Sequence, residues 1–187
     1  MKSIIMRGDQ GADTLEIIDD LEHADNTVGP SQVRVEVKAA GVCGSDLSCS
    51  LGKYYMPTPM AVGHEAAGII TEIGSAVTQS QVGDHVVLST LGTCGHCAQC
   101  SRGEPTLCGT PGALKQPFTQ GGEPVYQFAN VSAFCSEVIV TEPQAIPIPK
   151  EVPFTSAALI GCGVITGAGS VFNRAKVAAG DTVAVVG

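Results

Sequence analysis

The chain has 187 residues, enough for one domain with a sizeable core and a short remainder. A 44% hydrophobic share against 15% charged residues argues against disorder, and no apolar run approaches the ~18 residues of a membrane span. Ten Lys and Arg against eighteen Asp and Glu leave a net charge of -8, which repels a phosphate backbone and argues against a nucleic-acid partner.

Residues Met1 to Arg7 lack the apolar core and cleavage site of a secretory signal. The expectation is a cytoplasmic, reducing location, in which disulfides are the weaker reading of the eight cysteines. Short β-like runs then follow, separated by Gly, Pro and Asp: Val33 to Val37, Ala67 to Ile73, His85 to Leu88 and Glu137 to Val140. In the first of these, apolar and charged residues alternate, so one face is buried and the other wet. The pattern predicts a mostly antiparallel β domain.

Pro143, Pro147, Pro149 and Pro153 mark a change of architecture. Thr155 offers an N-cap for an Ala-rich helical stretch from Ser156 toward Ala179, broken in two around Gly161, Gly163, Gly167 and Gly169 and closed by Gly180-Asp181. The paired glycines look phosphate-binding, but they follow a helical run and match no complete motif, so close packing is their expected use. The run Thr182 to Val186 is continuously apolar, as in a strand buried on both faces of a parallel sheet. Gly187, where a dinucleotide-binding turn would start, is the candidate cofactor contact.

Cys94, Cys97, Cys100 and Cys108 place four thiols at spacings of three, three and eight. Two intervening residues let adjacent sulfurs reach one ion, and the longer return closes a tetrahedron at Zn–S distances of ~2.3 Å. Four thiolates with no open position make a structural zinc site, with iron–sulfur ligation, disulfides and plain reduced thiols as alternatives. His96 lies inside the knot and is expected to be solvated.

Cys43-Gly44-Ser45-Asp46, Gly63-His64-Glu65 and Gly161-Cys162-Gly163 supply two thiols and an imidazole from distant segments. A catalytic zinc takes three protein ligands and keeps one position open. Singly, each residue reads more simply as a small buried thiol or a hydrogen-bonded packing histidine. Together, Gly41 to Asp46, Gly63 to Gly68, the four-cysteine knot and Gly161 to Gly167 occur in an order that resembles the medium-chain zinc alcohol dehydrogenase family across practically the whole chain. Cys162 is more similar to the alcohol and formaldehyde dehydrogenase branch than to the branch with an acidic ligand there.

The resemblance implies a mainly β, GroES-like fold, a partly open barrel with short helices, over residues 1–155. Residues 156–187 would then be connecting helices and the first strand of a truncated Rossmann-type nucleotide-binding domain. It implies two zinc ions: one catalytic, held by Cys43, His64 and Cys162, and one structural, held by Cys94, Cys97, Cys100 and Cys108. Asp46 would orient the ligand histidine, and Glu65 would be a carboxylate standing behind the ligands. The alternative for each of these acids is an ordinary turn carboxylate.

The implied reaction is interconversion of an alcohol and its aldehyde or ketone by hydride transfer to NAD or NADP, with NAD favoured, and with zinc polarising the alcohol oxygen. Ser45 would take the hydroxyl proton, which a neutral hydroxyl must pass on. Many family members have a relay histidine three positions later, whereas this chain has Ser48. Cys49 and Cys135 read as structural thiols. Phe118, Tyr126, Phe128 and Phe134 read equally well as core residues or as walls of a cleft for an apolar alcohol.

In the family the nucleotide domain follows and the full-length protein is a homo-oligomer, so this portion is expected to bind zinc and to be inactive alone. The rival readings are a non-catalytic zinc-binding or interaction module, and a relative working on polyols, thiol adducts of formaldehyde or aldehydes. The loop from Leu51 to Pro59 and Ser48 are the nearest discriminators.

Overall fold

The structure, a computed structural model, describes residues 1–8, 14–53, 55–109 and 115–186. Strands β1 (Ser3–Met6), β2 (Leu15–Ile18), β3 (Glu22–His23), β5 (Met60–Ala61), β8 (Phe118–Gln120) and β9 (Glu123–Gln127) form a six-stranded sheet in the order β2-β1-β5-β9-β8-β3. A second, five-stranded sheet runs β10-β4-β6-β7-β11, from β4 (Gln32–Gly41), β6 (Glu65–Ile73), β7 (His85–Leu88), β10 (Glu137–Thr141) and β11 (Ala145–Pro147). The pairings are antiparallel as expected, except that β5 and β9 run parallel through Met60↔Tyr126 and Ala61↔Gln127.

Alternation sets the faces. In β4, Val33 and Val35 are fully buried while Arg34 bonds outward to Glu72 at 3.0 Å and Glu137 at 2.9 Å. The buried side chains of both sheets join one core, in which Ile5 of β1, Phe118 of β8, Val35 of β4, Ile70 of β6 and Val138 of β10 belong to the same cluster. An isolated bridge, Ser3↔Cys135, also ties the sheets.

Helix α1 (Gly44–Ser50) starts directly behind β4. Its N-cap is Cys43, whose backbone N–H donates to Asp46 Oδ2 at 2.9 Å, so that helix start and metal-type thiol are one residue. Helix α2 (Ala98–Ser101) is a single turn within the cysteine knot.

The C-terminal helical stretch runs from Phe154 to Arg174. It consists of α3 (Phe154–Ala157), a π-helical turn (Ile160–Val164), α4 (Ile165–Gly169) and a second π-helical turn (Ser170–Arg174). Two expectations need correction here. The N-cap is Pro153 rather than Thr155, because the fixed proline φ (-61°) already presets the entry and Phe154 is the first helical residue. The helix ends at Arg174, well before Gly180: Lys176 takes a left-handed φ of 54°, and the Val177 N–H returns to the Val171 carbonyl at 3.1 Å.

The helix, at 21 residues, is also long and apolar enough to cross a membrane by length and composition alone, contrary to the sequence expectation. Its apolarity comes from Phe154, Leu159, Ile160, Val164, Ile165, Val171 and Phe172, interspersed with Gly, Ser and Thr rather than in an unbroken run.

Thr182 to Val186 form no strand: they are exposed, Val185 at 93% and Val186 at 96%, and no ladder partner for them exists among the described residues. A strand buried on both faces needs neighbours on both sides. Gly187 lies outside the described residues.

Candidate metal centre

Strand pairing brings the first two donors together. In the β4–β6 ladder Gly41 pairs with Glu65, so the residues just beyond each strand end, Cys43 and His64, face one another. Gly41 and Gly63 make that approach possible. A Cβ on Gly41 would lie 2.3 Å from Glu65 Oε2, and Gly63 takes a left-handed φ of 89° against Phe134.

The third donor arrives from the helical stretch. Helix α3 docks on β6 through Ala157 and Ala158 against Ala67, and the Phe154 ring packs on His85 at 4.6 Å. Gly161 then passes over the end of β7, where a Cβ would sit 2.2 Å from the Leu88 carbonyl oxygen. This close pass inside a π-helical turn delivers Cys162. The packing use expected of the paired glycines thus holds at Gly161, whereas Cβ atoms on Gly167 and Gly169 would meet nothing within 4 Å.

The donor atoms of Cys43, His64, Glu65 and Cys162 all lie within 4.8 Å of one another. Cys43 Sγ is 3.9 Å from Cys162 Sγ, and His64 Nε2 is 3.3 Å from Cys162 Sγ. Tetrahedral coordination at Zn–S ~2.3 Å and Zn–N ~2.05 Å requires S···S and S···N edges of about 3.8 and 3.5 Å, whereas a disulfide needs ~2.05 Å. The spacing fits one shared ion and not a disulfide, and none of the eight cysteines is disulfide-bonded.

The tautomer of His64 agrees. His64 Nδ1–H donates to Asp46 Oδ1 at 3.0 Å, which leaves the Nε2 lone pair facing the thiols. That bond outweighs burial and raises the imidazole above its ordinary value. The Ser45 N–H on its sulfur holds Cys43 below the usual thiol range, whereas burial, followed by the neighbouring Cys43 and Glu65, pushes Cys162 up to about 11. Glu65 is buried at 3% exposure, and among the described residues no Lys or Arg pairs with it. A buried carboxylate beside two thiols and an imidazole, with no Lys or Arg paired to it, is a donor set that could hold a metal cation. Glu65, expected behind the ligands, has a carboxylate oxygen within 4.8 Å of all three.

The second cluster is the knot. Cys94, Cys97, Cys100 and Cys108 bring their sulfurs within 4.8 Å of one another, with Cys97 3.5 Å from Cys100 and 3.8 Å from Cys108. Backbone N–H groups point inward: Cys97 N–H donates to Cys94 Sγ at 3.3 Å and Cys94 N–H to Cys108 Sγ at 3.4 Å. His96 is exposed, with its Nδ1 bonded to the Cys94 carbonyl at 2.7 Å, outside the donor set.

Of the other sequence candidates, Ser45 lies exposed in the first turn of α1 and Ser48 is half-buried on the same helix. Cys49 and Cys135 are buried away from both clusters. Phe118 belongs to the main core. Phe128, Tyr126 and Phe134 share a smaller cluster with Cys49 and Met60, and the Phe128 ring meets the His64 imidazole edge-on at 5.7 Å and 72°. That contact carries no sequence signal beyond an aromatic residue in a loop.

A mainly β domain thus carries two candidate metal clusters, a mixed thiol–imidazole–carboxylate group and a four-thiol knot. The alcohol dehydrogenase GroES-like domain model matches residues 29–150, and the chain belongs to that family. It is similar to alcohol dehydrogenase B of Mycobacterium tuberculosis, 38% identical over 166 residues that cover 83% of this chain and 44% of that protein. It is also similar to the alcohol dehydrogenase class-3 of Zea mays, 35% identical over 182 residues, 91% of this chain and 47% of that one. A solved alcohol dehydrogenase zinc-binding domain protein from Burkholderia ambifaria superposes with a TM-score of 0.80 at 33% identity, covering 92% of this chain and 48% of that one. The chain spans about half the length of the relatives it matches.

Proposed function

We propose that this chain is the zinc-binding half of an oxidoreductase that interconverts an alcohol and its aldehyde or ketone by hydride transfer to NAD or NADP, with NAD the favoured carrier. The observation that carries the reading is the convergence of Cys43, His64, Glu65 and Cys162 from three separated segments into one donor cluster. Cys43, His64 and Cys162 hold the catalytic zinc, and Cys94, Cys97, Cys100 and Cys108 hold the structural one. Bound in the first cluster, zinc supplies Lewis acidity that favours the ionised form of an alcohol.

The chain's own side chains do the rest. Asp46 keeps the His64 imidazole in the tautomer that offers Nε2, and Glu65 balances positive charge in the buried ring. Ser45 Oγ takes the hydroxyl proton and passes it on; with Ser48 where a relay histidine would stand, water or a cofactor hydroxyl is the next acceptor. Phe128, beside His64, favours an apolar alcohol.

In this reading residues 1–155 are the catalytic domain, and 156–187 lead into a nucleotide-binding domain carried by a longer, homo-oligomeric protein. Its location is cytoplasmic, in keeping with eight cysteines outside disulfides, and neither nucleic acid nor membrane is a partner. The chain alone binds zinc and does not turn over.

Elemental analysis of metal per chain, for the parent and for Cys43→Ala and Cys97→Ala, tests the reading together with an NAD(H)-dependent turnover assay. Two zincs in the parent, one lost in each variant, and no turnover are expected. A single zinc kept by Cys43→Ala would favour the non-catalytic zinc-binding module, and cofactor-dependent turnover by the chain alone would refute its inactivity.

A further inference from the structure

The segment after β9 is strained in a way its sequence does not explain. Ala129, Asn130 and Ser132 take left-handed φ values of 50°, 60° and 57°, a conformation that favours glycine. Asparagine tolerates it; alanine and serine gain nothing from it. Such strain persists only where the surroundings over-determine it.

Those surroundings are specific. Ser132, fully buried, donates from Oγ to the Ala61 carbonyl at 2.8 Å and accepts the Phe128 N–H at 3.1 Å. Gln144 Nε2 donates to the Asn130 carbonyl and to the Ser89 carbonyl, each at 3.1 Å. Ala133 N–H donates to the Gly63 carbonyl at 2.8 Å and Phe134 N–H to Val62 at 3.0 Å. The strained turn is therefore clamped to residues 61–63, the three that lead into His64.

We propose that the Ala129–Ser132 turn is the device that aims His64, with Ser132 and Gln144 as positioning residues acting through Phe128. The inference rests on the reading of His64 as a metal-holding residue. Asp46 grips the imidazole at one corner, Nδ1, and a bond at one corner lets a ring pivot. The Phe128 ring, packed edge-on at 5.7 Å, stops the pivot and keeps Nε2 3.3 Å from Cys162 Sγ. The backbone strain is the cost of holding Phe128 at that place.

The test compares Ser132→Ala and Gln144→Ala with the parent chain, and with Ala129→Gly as control, by chelator competition and by the visible spectrum of the cobalt-substituted protein. Glycine takes the same left-handed φ without strain, so Ala129→Gly keeps the turn and the metal hold of the parent and keeps or raises the thermal midpoint. Expected for the other two variants is a roughly three- to ten-fold weaker hold on metal at the Cys43 cluster, less than removal of a direct ligand partner produces. Shifted or broadened cobalt bands should accompany it. The four-thiol knot serves as internal reference and keeps its affinity.

Unchanged affinity and bands in Gln144→Ala would overturn the inference, and that variant decides alone if Ser132→Ala does not fold. His64→Ala separates the two levels: loss of the second metal supports the site on which the inference rests, and retention overturns that site and the inference with it.

Discussion

At the scale of single residues, Asp46 does two things with one carboxylate. Oδ2 caps the first turn of α1 through the Cys43 N–H, and Oδ1 fixes the His64 tautomer. Asp46→Ala should therefore lower metal affinity at the Cys43 cluster by about 10–100-fold and reduce stability by about 1 kcal/mol through the lost cap. Chelator competition and urea denaturation check both, and a loss of stability with metal affinity intact would reduce Asp46 to a helix cap. Cys135 shows the opposite kind of site. Burial pushes its thiol up to about 11, against the Ser3 hydroxyl 3.1 Å away, so the reactive thiolate is scarce at neutral pH. In native, metal-stripped protein Cys135 should be the slowest cysteine to alkylate, and peptide mass spectrometry showing it modified alongside Cys97 would contradict that.

At the scale of elements, β3 sits on the edge of its sheet and carries His23 against β10 of the other. The His23 side chain is 4% exposed, stacks on Phe118 at 5.3 Å, and has Nε2 3.4 Å from Glu137 Oε1 without hydrogen-bond geometry. Burial lowers its imidazole below 6.5; Glu137 opposes this, while Arg34 and the Met1 ammonium reinforce it. The unfolded chain then binds more protons below about pH 6.5, so this histidine removes stability as pH falls through that window and contributes nothing above it. Urea midpoints at about pH 5.5 and 7.5 should fall less on acidification in His23→Gln than in the parent; equal falls would refute the assignment. The same strand shows what sequence could not reveal. Val33 to Val37 and His85 to Leu88 were readable because alternation or apolar character persists over four or five residues. β3 and β5 have two residues each, too few for any period. The four-cysteine knot was legible because its spacing is rare and chemically constrained, whereas Cys43, His64 and Cys162, weak singly, were legible only through the resemblance. The Ala129–Ser132 turn was not, since alanine and serine carry no mark of a left-handed backbone, and the place of Glu65 among the donors depends on strand register.

At the scale of the whole molecule, the two sheets share one core, but the cysteine knot stands outside it. None of the residues from 91 to 109 is buried, and the turns there, α2 and the 3-10 turn Pro105–Leu107, are too short to hold themselves. With no fully buried residue in this lobe, the proposed structural zinc on its four thiols would order it, and the binding free energy would be folding free energy for that segment alone. Metal removal should accordingly act in parts. Backbone amides between 93 and 109 should lose hydrogen-exchange protection, with the N–H groups of Cys94 and Cys97, now directed at sulfur, among the first to exchange. Those of β4 and β6 should keep theirs, because their partners and buried valines do not depend on the ion. Exchange mass spectrometry before and after chelation reads this directly. Loss of protection through β4 and β6 together with the lobe would mean that the ion holds the entire fold, and retention of protection in the lobe would mean that its backbone hydrogen bonds suffice without it.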